Sequence, residues 1–83
     1  MLPVTGTPRS ALVTGASKGI GRAIAERLVA SGYAVTGTYR SGGVPEGVLG
    51  VQADITDPDQ LEAAFVAAEH AHGPVEILVC NAG

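Results

Sequence analysis

At 83 residues the chain has room for one small domain, and with 46% hydrophobic residues it is apolar enough to fold rather than stay disordered. A formal net charge of −3, with only Arg9, Lys18, Arg22, Arg27 and Arg40 as cations, leaves no basic stripe for nucleic acid. Its one cysteine, Cys80, excludes an internal disulfide and a thiolate zinc cage, and no apolar run approaches membrane-spanning length.

In chain order, residues 1–9 (MLPVTGTPR) form a Pro- and Gly-broken arm without periodicity, expected to be loosely ordered. The arm interrupts any secretory leader, so a cytoplasmic location is expected. Residues 10–83 then alternate regularly. Ser10–Val13 predicts a short strand, and Gly19–Ser31 a helix with Ile20, Ala23, Ile24 and Leu28 inward and Gly32 as its stop. Tyr33–Tyr39 predicts a second strand. Arg40–Gly47, with three glycines and a proline, predicts a link that is not helical. Gly50–Ala53 predicts a third strand. Asp57-Pro58-Asp59-Gln60 opens a second helix with an acidic cap, Pro at the first helical position and Gln completing a capping box. Leu61, Ala64, Phe65 and Ala68 mark its inward face, and Gly73-Pro74 ends it. Val75–Cys80, apolar almost throughout, predicts a strand buried on both faces, with Cys80 a buried thiol.

With almost no aromatic residues, the core must be Val, Ile, Leu and Ala, which suits a parallel sheet under helices. The expected fold is α/β: the first half of a Rossmann-type doubly wound parallel sheet, about four strands in the order 3-2-1-4 with two helices.

Thr14-Gly15-Ala16-Ser17-Lys18-Gly19-Ile20-Gly21 lies between the first strand and the first helix. A glycine pattern so placed is a dinucleotide-binding signal. Gly15 permits the sharp turn, Gly19 lets backbone approach a pyrophosphate, and Gly21 permits close packing of the helix. Amides at the helix start, with the positive end of its dipole, would then hold the phosphates. An NTPase phosphate loop needs Gly-Lys-Ser/Thr at that point, whereas here Lys18 precedes Gly19.

These residues resemble the short-chain dehydrogenase/reductase family. Besides the Thr-Gly-x-x-x-Gly-x-Gly spacing, Asp54-Ile55 is similar to that family's acidic contact to adenine. Asn81-Ala82-Gly83 resembles its Asn-Ala-Gly turn beside the adenine ribose. Within the family, Ser10-Ala-Leu-Val-Thr-Gly, Gly19-Ile-Gly-Arg-Ala-Ile-Ala and Val51-Gln-Ala-Asp-Ile-Thr-Asp are most similar to 3-oxoacyl-[acyl-carrier-protein] reductases of fatty-acid elongation. The short glycine-rich link after Arg40 resembles a bacterial subgroup that makes long-chain acids.

The cofactor choice follows from charge. NAD-preferring Rossmann proteins place an Asp or Glu after the second strand, but this sequence has Thr38-Tyr39-Arg40. Arg40 can fork onto a 2′-phosphate, and Lys18 can reach it from the glycine loop, so NADPH is expected. The expected cofactor site is therefore Gly15, Ser17, Lys18, Gly19, Ile20 and Gly21, then Arg40, Asp54 and Ile55, then Asn81, Ala82 and Gly83.

His70 and His72 point different ways from one helix and make no metal grip; no metal site is expected. Tyr33 and Tyr39 are expected to pack. The resemblance implies ketone reduction by a Tyr hydroxyl, a Lys four residues later and a Ser. The residues four after Tyr33 and Tyr39 are Gly37 and Gly43, and Lys18 is the sole lysine, so no catalytic residue is assigned. The chain is thus expected to be the N-terminal part of a truncated dinucleotide-binding domain, inactive alone, with its fourth strand an open edge. By resemblance, the full-length enzyme would take an acyl carrier protein thioester and assemble as a homotetramer, with no nucleic-acid or membrane partner. Another short-chain dehydrogenase/reductase acting on a different alcohol or ketone, or a non-catalytic dinucleotide-binding module, remains the alternative.

Overall fold

A computed structural model describes residues 8–81. Its elements are β1 (Ser10–Thr14), α1 (Gly19–Ala30), β2 (Ala34–Tyr39), β3 (Val48–Gln52), α2 (Pro58–His72) and β4 (Val75–Cys80). All strand pairs are parallel and the sheet order is β3-β2-β1-β4, as expected from the alternation of strands and helices. β3 starts at Val48, two residues before the Gly50 predicted for it. Of the arm expected over residues 1–9, residues 1–7 lie outside the described residues. Pro8 and Arg9 are exposed, and Arg9 Nε donates to Glu76 Oε1 at 3.1 Å.

β1 is buried along its whole length because it lies between β2 and β4 with a helix on either face. On one face Ala11, Val13, Ala16, Ala25 and Val35 form the core cluster, flanked by Ile24, Leu28, Val29, Ile77 and Val79. α2 lies against the other face.

The inward face predicted for α1 is corrected. Ile24 and Leu28 do pack inward, but Ile20 is 72% exposed and Ala23 is exposed, while Gly21 and Ala25 are the buried positions. Gly21 sets this phase: it is wedged under the Gly15 carbonyl, and that turns residues 20 and 23 outward. α2 buries the predicted side, with Ala64 and Ala68 buried and Leu61 and Phe65 half-buried.

The strand predicted to be buried on both faces is corrected as well. β4 alternates: Val75, Ile77 and Val79 are half-buried, whereas Glu76, Leu78 and Cys80 are exposed. It is the edge strand, and α2 also spans β1 and β2, so the side of β4 bearing Leu78 and Cys80 is left open. Cys80 is accordingly an exposed thiol.

The helix ends follow local chemistry. α1 closes in a Schellman arrangement: Gly32, at φ +93°, donates to the Val29 carbonyl, and Tyr33 donates to that of Leu28. At the start of α2 the Asp57 carboxylate accepts from the Asp59 amide at 3.0 Å, with Pro58 at the first helical position. Gln60 does not close the expected capping box, because the Asp57 amide donates to the Asp54 carbonyl instead. Its side chain reaches further back, accepting from the Asp54 amide at 2.7 Å while donating to Asp57 Oδ2.

Asp57→Ala is expected to cost about 1 kcal/mol. In a domain of this size that lowers the melting temperature by roughly 4–8 °C in a circular-dichroism melt. Asp57→Asn, which keeps the acceptor, should melt within about 2 °C of the parent. Equal losses for the two variants would show that the cap is not what stabilises this end.

Candidate dinucleotide-binding cleft

The carboxyl ends of all four parallel strands open on one cleft of about 620 Å³. In open α/β sheets ligands bind in the crevice at these ends. Gly15, Ser17 and Lys18 contribute from the loop after β1, and Arg40 from the end of β2. Ile55 lies just beyond β3, and Asn81 follows β4. Six of the expected site residues, from four separated points in the sequence, therefore meet here.

The glycine loop has an unusual helix start. Lys18 occupies the N-cap of α1 in an extended conformation and makes no side-chain capping bond, and the first turn holds no acidic residue. α2 is the opposite case, with Asp57 and Asp59 at its start. The first amides of any helix lack intrahelical acceptors, and together with the dipole they make a positive end. In α2 that end is neutralised by carboxylates. In α1 it is left to whatever fills the cleft, with a lysine beside it. Gly19 and Ile20 begin this helix and are exposed.

The loop is fastened to the sheet at several points. Asn81 Nδ2 donates to the Gly15 carbonyl at 3.2 Å, and the Asn81 amide donates to Thr14 Oγ1 at 2.9 Å. Thr14 Oγ1 in turn donates to the Val79 carbonyl. From the other side, the Gly15 amide donates to Thr38 Oγ1 at 3.1 Å and the Ala16 amide to the Thr38 carbonyl at 2.8 Å. Gly21 lies beneath this knot, where a Cβ would overlap the Gly15 carbonyl oxygen and the Asn81 side-chain amide. Its expected role in close helix packing is thus visible in the contacts.

Arg40 is exposed beside the cleft, and its carbonyl accepts from Gln52 Nε2. Among the described residues the ion pairs are Arg9–Glu76 and Arg22–Glu26, so the guanidinium of Arg40 is not taken up by a carboxylate. Asp54 sits at the end of β3 with Oδ1 accepting from both the Thr56 hydroxyl at 2.6 Å and the Thr56 amide at 3.0 Å. Those two bonds hold the Asp54 carboxyl below its ordinary pKa, with a smaller contribution from the positive charge of Arg40. Asp54 is thus held in a turn between Ala53 and Ile55, both of which line the cleft. Ala82 and Gly83 lie outside the described residues.

Sequence reasoning missed several residues. Tyr39, expected to pack, is half-buried and lines the cleft together with Thr38, Ser41 and Ala53. Its ring does pack, over Gly50, and the available signal for the cleft was its position next to Arg40 at a strand end. His72 Nδ1 lies 3.3 Å from the buried hydroxyl of Thr36 in the middle of β2, while His70 is exposed. Among the described residues no group of His, Cys, Asp and Glu could hold a metal ion, and no helix is long and apolar enough to cross a membrane.

A family model described as short chain dehydrogenase matches residues 9–83. The chain is 55% identical over 75 residues to the 3-oxoacyl-[acyl-carrier-protein] reductase MabA of Mycobacterium tuberculosis, covering 90% of this chain and 30% of that protein. Among solved structures, a short-chain dehydrogenase/reductase of Serratia marcescens superposes with a TM-score of 0.81 at 41% identity, over 93% of this chain and 36% of that one. A blue fluorescent protein from a metagenomic library, in complex with NADPH, gives a TM-score of 0.82 at 36% identity, over 93% of this chain and 37% of that one. The chain thus spans about a third of the length of the curated relatives it matches.

Proposed function

This chain belongs to the short chain dehydrogenase family, and from that premise we propose that it is the NADPH-holding part of a reductase that converts a 3-oxoacyl thioester on acyl carrier protein to its 3-hydroxyacyl form. The carrying observation is the start of α1. It is uncapped by any side chain, preceded by Lys18, and opens on a cleft that also presents Arg40. The donor set suits a dianionic pyrophosphate at the helix amides and a further phosphate between the two cations.

In this reading the amides at the start of α1 bind the pyrophosphate. Lys18 and Arg40 hold the 2′-phosphate. Asp54 and Ile55 face the adenine, and Asn81, Ala82 and Gly83 form the turn beside its ribose. The bound nicotinamide supplies the hydride. The chain's own residues anchor and orient the adenosine end of the cofactor and provide no proton donor. The residues four after Tyr33 and Tyr39 are glycines, and Lys18 already serves a phosphate. The naming of the similar mycobacterial protein as a 3-oxoacyl-[acyl-carrier-protein] reductase supports the substrate class.

The test is a fluorescence titration of the purified chain with NADPH and NADH, followed by an assay with a 3-oxoacyl thioester. Binding with a preference for NADPH, strongest at low salt, and no NADPH oxidation are expected. Absence of NADPH binding, or a preference for NADH, would refute the cofactor assignment. Turnover by the 83 residues would refute the division of labour.

A further inference from the structure

We infer that Thr38, set next to Gly37, is a positioning residue that seats the phosphate loop on β2, so that the amides given to phosphate begin only at Ser17. This inference rests on the dinucleotide reading of the cleft and deepens it.

The loop cannot hold itself. Gly15 and Gly19 both sit at positive φ, and Lys18 supplies no capping bond. Its shape comes from the neighbouring strand. Thr38 is 1% exposed and offers two acceptors at once, its hydroxyl to the Gly15 amide and its carbonyl to the Ala16 amide. Between them Ala16, fully buried, is laid against Gly37. A Cβ at Gly37 would come within 2.7 Å of the Ala16 methyl, so only glycine leaves room for this approach.

Two consequences follow. The amides of Gly15 and Ala16 are already satisfied and are not donors to an anion; the donors are those of Ser17 and the first turn of α1. Arg40 stands two residues beyond Thr38, but its backbone is held separately by Gln52 Nε2, so that cation does not depend on the Thr38 hydroxyl. Valine at 38 would fill the same space but leave the part-buried Gly15 amide without its acceptor, and leaving such a bond unmade costs more than making it contributes.

The experiment compares Thr38→Val and Thr38→Ser with the parent chain in titrations of NADPH, NADH and 2′-AMP. The last carries the adenosine and 2′-phosphate but no pyrophosphate. Thr38→Val should weaken NADPH and NADH by roughly tenfold, and 2′-AMP, which keeps its Arg40 contact, by clearly less. Thr38→Ser, which keeps the acceptor, should restore dinucleotide binding.

Hydrogen exchange on the parent chain gives a measurement that needs no variant to fold. The Gly15 and Ala16 amides should be protected before NADPH is added, and those of Ser17 and Gly19 only afterwards. Equal weakening of 2′-AMP and NADPH, unchanged NADPH affinity in Thr38→Val, or free exchange at Gly15 and Ala16 until NADPH arrives would overturn the seat while leaving the dinucleotide reading intact. A parent chain that binds no NADPH overturns that reading, and the inference with it.

Discussion

A Gly21→Ala chain is expected to lose about 3 kcal/mol of stability or more, at or beyond the upper end of what overpacking usually costs. The reason is the identity of the neighbours. A methyl group at 21 would meet the Gly15 carbonyl oxygen and carbon, which are backbone, and the Asn81 amide, which is bonded to that same carbonyl. Flexible side chains can give way to an added carbon; a carbonyl fixed in a knot of hydrogen bonds cannot.

The consequence reaches the cleft as well as the core. Making room at Gly21 means lifting α1 off the loop, which breaks the alignment of its first amides with the cleft. Differential scanning calorimetry should show a fall in melting temperature of roughly 10–25 °C, and NADPH affinity should drop below detection. Gly19→Ala is the control on folding. Gly19 has nothing within 4 Å of a Cβ, so alanine there costs only the strain of φ +65°, about 1–2 kcal/mol. If Gly21→Ala melted no lower than Gly19→Ala, Gly21 would not be the close contact between α1 and the loop.

Arg40→Asp is expected to reverse the cofactor preference. A guanidinium paired with a 2′-phosphate makes charge-assisted bonds of about 1.5–3 kcal/mol each, and a carboxylate in its place adds repulsion. NADPH affinity should therefore fall by about a hundredfold or more at low salt. NADH, with an uncharged 2′-hydroxyl that a carboxylate can accept from, should stay within about threefold of its original affinity. The exposure of Arg40 sharpens the prediction: it makes no ion pair with the described residues, so its loss removes no internal support and the fold should be unaffected. Parallel titrations with the two cofactors at low and high salt decide the matter. Equal losses for NADPH and NADH would show that Arg40 does not read the 2′-phosphate.

Reading the residues alone was most successful where chemistry is local. Asp57-Pro58 opens a helix because an acidic side chain can accept from an amide two residues on, and Gly32 ends one because its backbone tolerates positive φ. Such bonds need no information from elsewhere in the chain. The glycine pattern was equally legible, since each glycine answers a backbone requirement between one strand and the next helix. Failures came where a residue's surroundings are supplied from a distance. Ile20 reads as a core residue by helical spacing, yet the seating of Gly21 under Gly15 turns it to 72% exposure. Leu78 and Cys80 belong to an apolar run, but whether such a run is buried on both faces depends on how far a helix extends over it.

From the order of its elements, the capping residues and the glycine spacing, the chain by itself determined a parallel sheet, its strand order and the place of the glycine loop. The helix ends and the loop rest on backbone conformation and hydrogen bonding within a few residues, and the strand order on the right-handed crossovers that alternating strands and helices impose. Only the tertiary structure decided which amides remain open to a ligand. That depends on Thr38 and Asn81, brought to Gly15 from 23 and 66 residues away, taking up two donors and one acceptor of the loop first.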